Sequence, residues 1–231
     1  MKKHKRIAIF DIDGTIFRSS LLIEITEALI EKNIFPQKTR DIYMQPYKNW
    51  SNRKDTYEKY IYSVVAAFEK NIKGVDSRAF SKVAKEVIKD KKDRVYRYTR
   101  DLVYDLKKKG FFLAAISNSP KELVQSFGKK LGFDKVYGRD YEVGKNKKFT
   151  GEILYLNLIR DKAKILKRVI ERNNLTLKGS VGVGDSESDI AFLKMVEHPI
   201  CFNPNDKLYQ HAKKKGWQVV VERKDVVYKI D

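Results

Sequence analysis

Arg6-Ile7-Ala8-Ile9-Phe10-Asp11-Ile12-Asp13-Gly14-Thr15 decides how this chain is read. The run RIAIF is short, rich in β-branched residues and followed at once by a polar turn. That is the pattern of a strand buried on both faces of a parallel sheet. The carboxyl end of such a strand is where α/β folds hold their ligands. Asp11 and Asp13 stand there two residues apart, where they repel each other and lose hydration unless a cation or substrate compensates them. A strand-to-helix turn that needs only a cap uses one acid. The second acid therefore points to chemistry. Gly14 lets the backbone turn tightly, and Thr15 offers a hydroxyl beside it.

Outward from this stretch, the same strand signal recurs at Phe111–Ser117, Ser180–Gly184, Pro199–Phe202 and Trp217–Val221. Helical periodicity separates these runs, over Lys121–Leu131, Asp161–Asn173 and Ser188–Met195. Gly110 is placed to end the helix that precedes the second strand. Strand and helix alternating with short turns predict an α/β fold built on a parallel sheet. Residues 19–98 interrupt the alternation: LLIEITEALIEK, KDTYEKYIYSVVAAFEKNI and SRAFSKVAKEVIKD are all helical in pattern. The expected organisation is a core of residues 1–18 plus 99–231 with a helical subdomain, 19–98, inserted after the first strand. Tyr137–Leu156 reads as a pair of short strands around a KNKK turn.

Three further places at strand ends or helix starts could carry chemistry. Ser117-Asn118-Ser119-Pro120 offers a hydroxyl and free N–H groups suited to a phosphate oxygen. Its plain alternative is a helix start with Ser119 as N-cap and Pro120 at the first helical position. Lys162 or Lys164, at the start of DKAKILKRVI, could neutralise nearby carboxylates; alone, either reads as a surface lysine. In Gly184-Asp185-Ser186-Glu187-Ser188-Asp189, the two aspartates lie one helical turn apart and can point at the same spot. Clustered carboxylate oxygens suit Mg²⁺, whereas Glu187 fits an acidic first helical turn. The four signals fall in chain order, each at a strand end or the helix start beyond it.

Composition narrows the class. The 231 residues carry 49 Lys+Arg against 30 Asp+Glu, a net charge of +19, with 42% hydrophobic and 12% aromatic residues. Enough apolar mass is present for a packed core, which excludes disordered and Pro/Gly-rich chains. The single cysteine, Cys201, excludes a disulfide framework or a Cys-rich zinc site. No membrane span is present, and MKKHKRIAIFDIDG lacks the apolar length of a secretory signal, so a cytoplasmic protein is expected. The lysines fall in short runs without the aromatic interleaving of a nucleic-acid site. Nucleic acid is therefore a possible partner that the pattern does not favour.

The ordered set resembles the haloacid dehalogenase superfamily, and more closely its phosphoserine-phosphatase-related branch, subfamily IB. The resemblance covers nearly the whole chain: DIDGT at 11–15, Ser117 in ISNSP, Lys162 (with Lys164 as the fallback) in K-x-x-I-L, and GDSESD at 184–189. It implies a Rossmann-like parallel sheet with a helical C1 cap. It also implies Asp11 as a nucleophile forming an aspartyl-phosphate and Asp13 as general acid and base. Mg²⁺ would be held by Asp11, the Asp13 backbone carbonyl and Asp185, with Asp189 as a further ligand or an orienter. Ser117 and Lys162 would bind phosphoryl oxygens. Retention of both acids at 11 and 13 favours a phosphatase or phosphomutase.

The branch has a glutamate shortly after its first motif that binds the amine of phosphoserine. Here Arg18, Ser19 and Ser20 occupy that region, which predicts a different small phosphorylated metabolite, with Thr15, Asn118, Arg18 and Arg53 among the substrate contacts. Tyr47, Trp50, Arg53 and Tyr57 gather aromatics and a cation in the inserted helices, as substrate cover or as ordinary core. The alternatives are a phosphotransferase or phosphomutase, a nucleic-acid-end phosphatase using the basic surface, and an RNA-binding protein with a vestigial pocket.

Overall fold

The computed structural model describes residues 4–230, so the first three residues and the last residue of the expected core lie outside the described residues. Its strands are β1 (Lys5–Asp11), β2 (Phe112–Pro120), β3 (Lys135–Val143), β4 (Phe149–Leu154), β5 (Leu175–Gly184), β6 (His198–Phe202), β7 (Gln218–Arg223) and β8 (Val226–Ile230). The helices are α1 (Leu21–Glu31), α2 (Asp41–Ser51), α3 (Tyr57–Ile72), α4 (Ser77–Lys91), α5 (Arg97–Lys108), α6 (Lys121–Leu131), α7 (Leu156–Ile159), α8 (Lys162–Asn173), α9 (Ile190–Leu193) and α10 (Asp206–Lys215).

One sheet runs in the order β4-β3-β2-β1-β5-β6-β7-β8. Its six inner strands are parallel, and β4 and β8 close the two edges as antiparallel neighbours. The chain works outward from β1 in one direction, then returns to its other side at β5. Between these two strands the order reverses, and that is where such a sheet opens a crevice at its carboxyl edge. The register sets Asp11 beside Ile116 of β2 and Phe10 beside Val183 of β5, so the ends of all three strands reach this crevice together.

The unbroken apolar run of β1 follows from coverage on both faces. Ala8 and Phe10 pack into the cluster that contains the inserted helices. Ile7 and Ile9 pack on the other face, against α8, α9 and α10. All four are fully buried. Helices α1 to α4 lie between β1 and β2 in the chain, and their buried residues, Leu21, Leu29, Phe68 and Phe80 among them, form one cluster with Phe10 and Phe127. The chain segments entering and leaving them are laced together: Arg18 N donates to Arg94 O at 2.9 Å, Tyr96 N to Ile16 O at 2.9 Å, and Thr99 Oγ1 to Thr15 O at 2.8 Å. The β3–β4 hairpin grips the turn between α3 and α4 through Gly74 N to Phe149 O (2.8 Å) and Ser77 N to Lys147 O (2.8 Å).

Several elements depart from the sequence reading. The pattern over Ser188–Met195 splits into a 3-10 turn at Glu187–Asp189 and the four-residue α9, with the Asp189 side chain accepting from the Asp185 and Ser186 N–H groups at the join. β2 runs on through Ser119 to Pro120, so Ser119 is not a helix cap; Pro120 holds the N-cap position of α6 without a side-chain bond. Helix α10 and strand β8 have no counterpart in that reading, and α2 lies within the helical segment 19–98 but outside its three quoted runs. Among the described residues, no helix is long and apolar enough to cross a membrane.

Candidate active site

Asp11 ends β1 and is almost wholly buried, as are Lys162, the first residue of α8, and Asp189. Lys162 Nζ lies between the two carboxylates, donating to Asp11 Oδ1 at 2.6 Å and to Asp189 Oδ1 at 2.5 Å. Burial works against the charge of Lys162, but Asp11 and Asp189 outweigh it and hold the ammonium above the ordinary lysine pKa. Lys164, by contrast, is exposed and turns back to Asp161 at 3.6 Å, so Lys162 is the lysine that reaches the acids. The other oxygen of Asp189 accepts from the backbone N–H groups of Asp185 (3.0 Å) and Ser186 (3.1 Å). Asp189 thereby fixes the loop that carries Asp185.

Asp185 follows β5 and faces Asp11. Thr15, fully buried, donates to it at 3.4 Å. Sequence reasoning offered Thr15 as a substrate contact; the hydroxyl instead faces this carboxylate. Gly14 keeps this approach open: a Cβ on it would lie 2.1 Å from Asp185 Oδ2, and its φ of +81° is one that other residues rarely adopt. Gly184 has a matching role, since a Cβ there would meet Asp189 at 2.6 Å.

Asp11, Asp185 and Asp189 each bring a carboxylate oxygen within 4.8 Å of the others. Burial, opposed by Lys162 and reinforced by the neighbouring acids, pushes Asp11 up to about 7. Burial and the charge of Asp11 hold Asp185 well above the usual carboxylate range. Three acids with one lysine between them leave negative charge uncompensated, and their hard oxygens suit a divalent cation. Asp185 and the second oxygen of Asp11 are the donors least taken up by protein partners. The donor set therefore fits a divalent metal, with Asp189 engaged mainly in orienting its neighbours.

Asp13 belongs to a different environment. The resemblance placed its backbone carbonyl, not its carboxylate, at the metal, and the carboxylate stands outside the three-acid cluster. Oδ1 accepts from Leu21 N at 2.6 Å, and Oδ2 accepts from the hydroxyls of Ser119 (2.8 Å) and Ser117. The backbone N–H of Ser119 in turn donates to Ser117 Oγ at 2.9 Å. Burial raises the Asp13 carboxyl above its usual range, and the bonds from Ser117, Leu21 and Ser119 pull against it. Ser117, expected to face a phosphoryl oxygen, here spends its proton on Asp13. Ser119, read as a cap, was missed; its spacing of two from Ser117 on a strand, which puts both on one face, was the available signal.

Asn118 is half-buried at the same strand end. Arg18 is exposed, its guanidinium 5.5 Å from the ring centre of Tyr96. Burial raises the Tyr96 phenol, with Asp185 adding to the rise, so this pair stands at the rim of the acid cluster. Tyr57 lies near the same acids. Burial and the charges of Asp13 and Asp185 push its phenol up. Behind it, Tyr57, Trp50, Tyr47 and Tyr60 pack as one aromatic group, Trp50 stacked on Tyr60 at 5.5 Å. Arg53 is exposed in the turn after α2 and does not join the bonded constellation. Lys207 of α10 donates at 2.9 Å both to Glu58, beside Tyr57, and to Glu187, two residues beyond Asp185, tying the start of α3 to the Asp185 loop.

Comparison with known proteins gives a consistent picture. A family model described as haloacid dehalogenase-like hydrolase matches residues 8–194. A histidinol-phosphatase from Neisseria meningitidis serogroup C (strain 8013) is 23% identical over 224 residues, covering 94% of this chain and 98% of its own. A phosphoserine phosphatase from Methanocaldococcus jannaschii is 23% identical over 229 residues, covering 98% of this chain and 96% of its own. A solved phosphoserine phosphatase structure with a phospho-aspartyl intermediate analogue is similar with a TM-score of 0.62, at 23% identity over 96% of each chain.

Proposed function

The chain belongs to the haloacid dehalogenase-like hydrolase family, and from that premise we propose that it is a Mg²⁺-dependent phosphatase of a small phosphomonoester, working through an aspartyl-phosphate on Asp11. The observation that carries this reading is the contrast between two aspartates on one turn. Asp11 is held against Lys162 at 2.6 Å in the acid cluster, while Asp13 is held apart from it by Ser117, Ser119 and Leu21 N.

The roles follow from these environments. A carboxylate oxygen of Asp11 attacks phosphorus, and the bond from phosphorus to the leaving oxygen breaks. Asp13, whose raised pKa favours the protonated form, gives its proton to that oxygen. The carboxylate so formed then takes a proton from the water that attacks the phospho-Asp11, releasing phosphate and restoring both side chains. Lys162 offsets charge on Asp11 and on the phosphoryl group in flight. Asp11 and Asp185, with Asp189 behind them, would hold Mg²⁺, which when bound neutralises the acids and stabilises phosphoryl charge.

The inserted helices 19–98 act in this reading as a cap, with Tyr57 and Glu58 at its lower edge. The relatives named phosphoserine phosphatase and histidinol-phosphatase both act on small phosphate esters. Arg18 on Tyr96 favours a substrate with a further anionic group. The test is hydrolysis of p-nitrophenyl phosphate with Mg²⁺. We expect release of phosphate, its loss on chelation, and a fall of at least about 10³-fold in Asp11→Asn. Turnover of Asp11→Asn at the wild-type rate would overturn the nucleophile assignment.

A further inference from the structure

β3 leaves half of its outer edge open. Lys135–Tyr137 pair with β2 on the inner side, and β4 joins the outer side only from Asp140 onward. Along this open stretch, between α6 and the α7–α8 segment, runs a groove of about 290 Å³. None of the catalytic acids lines it. Arg168 and Arg172, one turn apart on α8, share it with Lys135, Tyr137, Tyr155 and Leu158. Its other cation, Lys121, is already bound to Asp140 at 2.6 Å. Among the described residues, Arg168, Arg172 and Lys135 have no acidic partner within ion-pair distance, so positive charge collects at the α8 end of the groove.

Tyr155 supplies the second observation. Its backbone is left-handed, at φ +54° and ψ +36°, a region that bulky side chains rarely adopt. The residue is 72% exposed and lines the groove. A strained backbone that holds an aromatic ring in water is a feature to be explained by function. Paired guanidiniums match a phosphate through bidentate forks. The exposed Tyr155, with the half-buried Tyr137 beside it in the groove, offers a stacking face to a planar base. The volume suits one small ligand, whereas a polynucleotide would need a continuing basic track.

We propose that this groove binds a mononucleotide, its phosphate on Arg168 and Arg172 and its base against Tyr155 and Tyr137. The site is separate from the phosphatase reading and does not depend on it. The experiment is calorimetric titration of AMP into the intact protein in EDTA, repeated with Asp11→Asn, Tyr155→Ala, Arg172→Glu and the double variant Arg168→Ala/Arg172→Ala. Saturable binding, retained in Asp11→Asn and weakened at least about tenfold in the double variant, supports the site. So does weaker binding of adenosine and of inorganic phosphate, each alone, with p-nitrophenyl phosphate hydrolysis unchanged in the arginine variants. Arg172 is exposed, so Arg172→Glu tests the charge without disturbing the core. No saturable binding overturns the proposal, as does affinity unchanged by the arginine substitutions. Loss of binding in Asp11→Asn would move the ligand to the acid cluster and overturn it equally.

Discussion

Asp11 and Asp13 show how one residue type is divided into two roles by what surrounds it. Burial acts first on both: at Asp11 it is opposed by Lys162 and reinforced by the facing acids, and at Asp13 it is opposed by two serine hydroxyls and a backbone N–H. Each bond that Asp13 accepts favours its charged form and so lowers a pKa that burial raises. Ser119→Ala removes the 2.8 Å bond, so the carboxyl rises further and stays protonated to higher pH. In the proposed reaction the first step needs that proton, so the alkaline limb of kcat/KM should move upward in pH, with kcat at neutral pH changed less than about tenfold. Asp13→Asn should instead cost about 10²–10⁴-fold in kcat. A pH–rate profile of both variants checks this; an unmoved limb in Ser119→Ala would separate Ser119 from the chemistry. The acids themselves were legible, because paired carboxylates at a strand end have no simple structural use. The direction of the Ser117 hydroxyl was not, since a strand pattern assigns a face but not a partner.

At the level of elements, legibility followed coverage. β1 was plain in the sequence because both of its faces are buried and Ile7–Phe10 are apolar without a break. β8, an edge strand with Val226, Tyr228 and Ile230 exposed, carries only five residues and lies beyond a charged turn, so no burial pattern marks it. α2 hides for a related reason: one fully buried residue, Tyr43, and an internal Pro46 leave no apolar stripe. α8 combines both kinds of signal. Its buried Ile165, Leu166 and Val169 recur at helical spacing, and Asp161 caps it by accepting from Lys164 N at 3.1 Å. Since Lys162 is the first residue of this helix, the cap also secures the site. Asp161→Ala should destabilise the protein by about 1 kcal/mol in urea unfolding and lower phosphatase turnover together with stability. Wild-type stability in that variant would mean that packing alone starts the helix.

On the scale of the whole molecule, the strongest numerical signal in the sequence, a net charge of +19, says little about the site, because the site is a convergence of distant carboxylates. Asp11 and Asp185 come together only when β1 and β5 pair, so a cation held between them binds the folded chain and not the unfolded one. Cys201 reports on that linkage. It lies in β6, beside Gly184 of β5, with no exposed surface, and burial, with a smaller push from Asp189, raises its thiol to about 12. The thiolate is the reactive form, so at pH 8 the native protein should resist a disulfide reagent and react only as it opens. A ligand at 100 times its dissociation constant stabilises the folded state by about 2.7 kcal/mol, which slows labelling through global opening by about 100-fold. Mg²⁺ should therefore protect Cys201, chelation should restore the faster rate, and Asp11→Asn should blunt the protection. Labelling that is indifferent to Mg²⁺ in the wild-type protein would mean that the three acids do not hold the ion in the folded state.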